Sequence, residues 1–144
     1  MTVLYKLRDY KETIKFEREH PRQLQWDSTY KLYMLEQNKK CQGIWLRNKE
    51  DGLIGEVILS WDSDNVVYTE SFTVLPKYRG QGLGHKLVSL SLEWATNSNF
   101  EFFIGEARDG ASWKIFKSFG ASEVLRHKNW SETNEEYISY KINL

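Results

Sequence analysis

The run Arg79-Gly80-Gln81-Gly82-Leu83-Gly84-His85 holds the residue types and spacing with the clearest chemical use. An extended lead-in, Val74-Leu75-Pro76-Lys77-Tyr78, precedes it. Leu83, Leu87, Leu90 and Trp94 then recur at helical spacing, with Val88, Leu92 and Ala95 widening the apolar stripe. Glycines where a strand hands over to a helix let backbone N–H groups converge on one point, to which the helix adds the positive end of its dipole. Such a point binds an anion, most often a phosphate, and Arg79 brings a planar fork of donors to the same charge. The competing reading is a tight strand-to-helix turn with no ligand.

Spacing separates the phosphate binders. A Walker loop needs Gly, four residues, then Gly-Lys-Ser/Thr, and no register supplies it. The dinucleotide fingerprint needs Gly-x-Gly-x-x-Gly, whereas these glycines stand at 80, 82 and 84. What remains, Arg79-x-x-Gly82-x-Gly84 after Val-x-Pro-x-Tyr, closely resembles the acyl-CoA pyrophosphate loop of the GNAT superfamily of N-acyltransferases. The resemblance implies acetyl-CoA as co-substrate. It implies cofactor contacts from Arg79, Gly80, Gln81, Gly82, Leu83, Gly84 and His85, and from the backbone of Phe72, Thr73 and Val74 beside the pantetheine arm. Lys86 and Lys117 are candidates for the 3′-phosphate of CoA, with a solvated helix lysine as the default.

A second stretch carries the same resemblance. The superfamily motif Asn-x-x-Ala/Ser-x-x-Leu-Tyr-x-x-x-Gly-Phe aligns on Gly120. Asp109 then stands at the asparagine, Ser112 at the small residue, Ile115 at the leucine and Phe116 at the tyrosine, and the resemblance implies that Asp109, Ser112 and Phe116 also contact the cofactor. Two chemistries change: an ionised Asp109 cannot donate a hydrogen bond, and Phe116 has no hydroxyl. In the family that tyrosine often protonates the departing CoA thiolate. Near neutrality a thiolate with a pKa of about 8.5 is already a tolerable leaving group, so the change does not remove the logic of transfer. Tyr137 or Tyr140, on opposite faces of the last strand by period-two alternation, could supply the hydroxyl.

The resemblance also implies that two central strands splay apart around the pantetheine arm, which needs a bulge, expected at Thr69-Glu70-Ser71. Glu70 is the first candidate for the base that takes a proton from the amine, because an apolar cleft raises a carboxylate's pKa towards useful basicity. A solvated strand residue or an ion pair is the equal alternative for it. Glu106 is the second candidate and Glu56 the third. His20 and His127 lack partners at metal spacing, so no metal is expected. Trp26, Tyr30, Tyr33 and Trp130 read as core residues, or by analogy as the rim of the acceptor side.

The elements that must position these groups follow from periodicity. Val3 to Leu7 reads as a strand. Asp9 and Glu12 form a capping box for a helix to about Glu19, ended by His20-Pro21. A second helix begins near Asp27 or Ser28 and carries Met34. Ile44 to Asn48 and Leu53 to Trp61 are strands joined at Lys49-Glu50-Asp51-Gly52. Val66 to Val74 is the next strand, followed by the glycine loop and a helix to about Ser98. Phe100 to Glu106 reads as a buried strand, and Ala111 to Phe119 as a helix closed by Gly120. Val124 to Trp130 and Tyr137 to Leu144 form an antiparallel pair. The fold class is α/β (α+β): a single domain over residues 1–144 with a mixed, mostly antiparallel sheet flanked by helices, ordered β-α-α-β-β-β-α-β-α-β-β. The crossover through the helix near Leu83 makes its two flanking strands parallel.

Bulk composition bounds the rest. The chain has 144 residues, enough for one core, and twenty basic residues balance twenty acidic ones. No global field draws it to nucleic acid or membrane. Cys41, the single cysteine, reads as a solvent-near or half-buried bystander in a reducing compartment. Met1 opens onto Val3-Leu4-Tyr5 without a secretory pattern, so the expected location is cytoplasmic and the sequon at Asn129-Trp130-Ser131 goes unused. The resulting expectation is a direct, acetyl-CoA-dependent N-acetyltransferase acting on a primary amine of a small molecule or peptide. A CoA-binding sensor without turnover is the alternative. The family resemblance also allows a homodimer through the C-terminal strands.

Overall fold

The computed structural model describes residues 4–9, 11–12, 15, 36–37, 39–129 and 134–144. Strands β1 (Leu4–Asp9), β2 (Cys41–Asn48), β3 (Gly52–Ser60), β4 (Val66–Val74), β5 (Phe102–Arg108), β6 (Ser122–His127) and β7 (Tyr137–Asn143) form one sheet. Their spatial order is β1-β2-β3-β4-β5-β7-β6. The pair β4 and β5 is parallel, and the other neighbours run antiparallel. The parallel pair is joined by helix α1 (Leu83–Asn97), and helix α2 (Ala111–Ser118) connects β5 to β6.

Strand β3 sits inside the sheet and is buried along nearly its whole length, which explains its continuous apolar run. Leu87, Val88 and Ala95 of α1 pack on Ile54, Val57 and Val67 in the main core. Each of the leucine, isoleucine and valine side chains contributes about 1.5–3 kcal/mol on leaving water. The far end of the crossover is closed by aromatics: Trp61 lies 5.6 Å from both Trp94 and Phe100, centroid to centroid.

Several sequence expectations shift in register. β5 begins at Phe102 rather than Phe100. The Phe100 ring is buried, but its N–H bonds the Ala95 carbonyl at 3.1 Å as the chain leaves α1. Apolarity marked burial there, not ladder pairing. β2 starts at Cys41, which pairs with Ser60 and is buried rather than half-exposed. β6 runs Ser122–His127 instead of from Val124, and Val124 and Leu125 on this edge strand are exposed, so its hydrophobic pattern misleads. Gly120 closes α2 as expected, with φ 91° and its N–H on the Lys117 carbonyl at 3.0 Å.

Near the N-terminus, the Glu12 N–H donates to Asp9 Oδ1 at 3.0 Å, the first half of the expected capping box. Residues 11–12, 15 and 36–37 are helical; the other residues of the two expected N-terminal helices, among them His20, Trp26, Tyr30, Tyr33 and Met34, lie outside the described residues, as does Trp130.

Candidate functional site

The glycine loop forms at the C-terminal end of β4. A single 3₁₀ turn, Pro76–Tyr78, lifts the chain off the sheet, and sequence periodicity did not foresee it. Gly80 and Gly82 then adopt φ 78° and 80°, a left-handed conformation that carries a steric cost for any residue with a Cβ. Gly82 caps α1 with no side chain on the exposed N–H groups. The first intrahelical bond runs from Lys86 N–H to the Gly82 carbonyl at 3.1 Å, so the N–H groups of Leu83, Gly84 and His85 precede the ladder. Those donors and the helix dipole point at one exposed spot suited to a diphosphate. Gly84 plays a packing part: a Cβ there would meet Ile115 at 3.0 Å and Phe72 at 3.2 Å. Arg79 Nε donates to the Val74 carbonyl at 3.0 Å, fastening its guanidinium to the end of β4. The His85 ring lies 4.4 Å from the Phe119 ring, so this residue offers the loop its backbone rather than its imidazole.

The loop is held from below. Tyr78 is buried, and its hydroxyl accepts from Asn48 Nδ2 at 2.8 Å and donates to Asp51. The Asp51 N–H in turn donates to Asn48 Oδ1 at 2.9 Å. Lys77 Nζ sits 3.0 Å from Asp51 as well. The hydrogen bond from Tyr78, then that from Lys77, holds the Asp51 carboxyl below its usual range. The hairpin between β2 and β3 is thereby tied to the turn that launches the phosphate loop.

Next to the loop the sheet opens. β4 pairs with β5 only from Val66 to Tyr68, opposite Phe102 to Ile104, although the strands continue to Val74 and Arg108. From Thr69 and Gly105 onward the inner edges part and form a fork. A bulge accompanies the parting: Ile58 pairs with Ser71 and Leu59 with Thr69, which leaves Glu70 as the extra residue. The bulge also changes the phase of alternation. Val67 joins the core under α1 before it, and after it Phe72 and Val74 meet Gly84 on that same side.

Titratable groups gather where the strands part. On one side of the sheet the Tyr68 hydroxyl donates to Glu106, bridging β4 and β5. Burial first, then this hydrogen bond and the charges of Glu106 and Glu70, push the Tyr68 phenol far above its ordinary range. Glu70 accepts from Ser60 Oγ at 2.6 Å, towards β3. Glu56, fully buried on β3, pairs with Thr73 on β4 and Trp45 on β2. On the opposite side the Tyr140 hydroxyl donates to Thr69 Oγ1 at 3.2 Å. Burial dominates the rise of its phenol pKa, the Thr69 bond opposes it, and Glu106 and Tyr68 add to it.

Other expected contacts fall variously. Phe116 is buried, with its ring 5.4 Å from Phe72 and stacked 4.3 Å from Tyr140. Ser112 is half-buried in the first turn of α2. Asp109 is held at 2.8 Å by Arg126, which also binds Glu123 at 2.5 Å and Glu136 at 2.7 Å. Its side chain therefore braces β6 and the start of β7. Tyr137 pairs with Arg108 at the end of β5, with that guanidinium 6.0 Å from its ring, away from Thr69. Gln81, Lys86 and Lys117 are exposed. Sequence reasoning named Thr69 only for the bulge and missed Tyr68, Ser60 and Gly105 at the fork. Adjacent residues of a strand face opposite ways, as Tyr68 and Thr69 do, but only strand pairing brings Glu106 and Tyr140 to them.

Comparison with known proteins follows the same lines. The sequence profile described as acetyltransferase (GNAT) family matches residues 4–121. A thialysine N-epsilon-acetyltransferase of Mus musculus is 32% identical over 82 residues, covering 55% of this chain and 47% of that protein. The chain thus matches about half the length of that curated relative. Among solved structures, one of the NatC complex bound to Gag peptide and CoA superposes with TM-score 0.79 at 16% identity, covering 100% of this chain and 99% of the other. The Escherichia coli alanine N-acetyltransferase of a ribosomal protein gives TM-score 0.76 at 16% identity, over 97% and 94% of the two chains.

Proposed function

Because this chain belongs to the acetyltransferase (GNAT) family, we propose that it transfers an acetyl group from acetyl-CoA to a primary amine of a small molecule or peptide in one direct step. Acetyl-CoA is the co-substrate. The single observation that carries the reading is the β4–β5 fork opening beside the free N–H groups of the α1 N-terminus. Residues 80–85 would hold the diphosphate, and the parted edge of β4 from Thr69 to Val74 would offer backbone groups to the pantetheine arm. Fixing thioester and amine in line is worth up to about 7–11 kcal/mol of the barrier in the best intramolecular models.

Glu106 is the base in this reading. It lies at the point where the strands part, joined to Tyr68, whereas Glu70 turns towards Ser60. The amine loses its proton to the Glu106 carboxylate as the C–N bond forms, and no covalent enzyme intermediate is needed. The mouse relative named for an ε-amine and the NatC structure bound to a peptide support a primary amine as the acceptor class.

The reading is tested with purified protein, acetyl-CoA and a panel of diamines, basic amino acids and short peptides. Thiol release should accompany an acetylated product by mass spectrometry. If CoA raises the melting temperature but no amine releases thiol, the chain is a CoA-binding module instead. If CoA leaves the melting temperature unmoved, both readings fail.

A further inference from the structure

We propose that the Tyr140 hydroxyl donates the proton taken up by the CoA sulfur as the thioester breaks, a role delivered from β7 rather than from α2; this rests on the acetyl-transfer reading above. Three features converge on it. Phe116, on α2, presents only a phenyl ring, and that ring stacks 4.3 Å from Tyr140. Tyr140 is the residue of that stack carried by the sheet, and its hydroxyl reaches Thr69, the first β4 residue past the last pair with β5. Gly105, the first β5 residue past that pair, makes the reach possible. A Cβ there would stand 2.6 Å from the Tyr140 hydroxyl and 3.0 Å from Cζ. A phenol is thus aimed through a gap left by a missing side chain, into the opening of the fork.

The fork then has a proton acceptor and a proton donor on its two sides. Tyr68 and Glu106 lie on one, and Tyr140 with Thr69 on the other. The amine lone pair attacks the acetyl carbonyl carbon, the C–N bond forms, and the C–S bond breaks with its electron pair going to sulfur. The surplus ammonium proton passes to Glu106 and the Tyr140 proton passes to sulfur, giving CoA thiol. Water returns the proton from Glu106 to the Tyr140 phenolate between turnovers, so the enzyme is regenerated with no other reactant. Burial raises the phenol pKa and so weakens Tyr140 as an acid; its donation is driven by the negative charge that develops on sulfur beside the hydroxyl as the C–S bond breaks.

The test is single-turnover acetyl transfer, at saturating acetyl-CoA and amine, by Tyr140→Phe. This change keeps the ring and its stacking and deletes only the hydroxyl. The expected result is a rate roughly 10- to 100-fold lower, with the acetyl-CoA dissociation constant within about twofold of wild type. Introducing Phe116→Tyr into that variant should recover part of the loss. A Tyr140→Phe rate within about twofold of wild type overturns the proposal while leaving acetyl transfer intact, whereas an inactive wild type sinks the transfer reading itself. Should Tyr140→Phe fail to fold, Thr69→Val removes the acceptor that aims the hydroxyl; an unchanged single-turnover rate there overturns the proposal equally.

Discussion

The phosphate loop and the fork sit side by side at the end of β4, yet they are built from different materials. The loop is exposed and acts through backbone: two glycines in left-handed conformation, the free N–H groups of one helix turn, and an arginine fastened to a carbonyl. Its residues are consecutive, so local conformation makes the site. The fork is half to fully buried and acts through side chains from strands distant in sequence. Tyr68 meets Glu106 and Tyr140 meets Thr69 only because β5 and β7 are neighbours in the sheet. In the proposed reading binding belongs to the loop and chemistry to the fork, and substitutions should separate the two.

The largest expected effect is on chemistry alone. Glu106→Gln should lower kcat by about 100- to 10,000-fold with the CoA dissociation constant unchanged by calorimetry. Glu70→Gln, on the β3 side of the bulge, should cost less than about tenfold. Equal losses in the two variants would dissolve the assignment of Glu106.

Next comes a change confined to binding. Gly82→Val forces a β-branched residue to φ 80°, at a cost of about 1–3 kcal/mol. At tenfold per 1.4 kcal/mol, acetyl-CoA affinity should fall roughly 5- to 150-fold, while single-turnover rates at saturation stay near wild type. A collapse of the saturated rate would mean that loop and fork are not separable.

A smaller effect tests the support beneath the loop. Tyr78→Phe removes the hydroxyl shared by Asn48 and Asp51 and should destabilise the fold by about 1–3 kcal/mol in urea denaturation. The KM for acetyl-CoA should rise a few-fold with kcat held. A wild-type KM would show that the β2–β3 hairpin does not position the loop.

The smallest is a pH dependence belonging to the fork. Tyr68 and Tyr140 have folded-state pKa values raised above the ordinary 10.0. Above about pH 10 the unfolded chain releases phenolic protons that the fold retains, so stability is complete below that value and declines as pH rises through it. The melting temperature should fall more steeply from about pH 9 to about pH 11 in wild type than in Tyr140→Phe. Identical slopes would show that the Tyr140 phenol is not held protonated by the fold.

Much of this was legible because local rules govern it. The glycine spacing, the α1 stripe and the Gly120 cap each depend on a few neighbouring residues, and each stands where the sequence puts it. The bulge was implied by the family resemblance, and a polar triplet among apolar neighbours placed it at Glu70. Phe100 was misread as strand because burial and ladder pairing share one apolar signature. Asp109 reads as a cofactor contact by motif position, but its side chain braces Arg126, a residue that no spacing connects to it.

What the sequence determined by itself is the glycine turn at the start of α1 and the class of fold, since backbone conformation and helical periodicity are short-range. Which carboxylate and which phenol meet at the parted strands was decided by tertiary structure alone. Period-two alternation names the face of a strand but not the neighbour across it, and the order β4-β5-β7 set that neighbour. Tyr137 and Tyr140 look alike on one strand. Only packing against Phe116, and the space left at Gly105, aims Tyr140 at the fork.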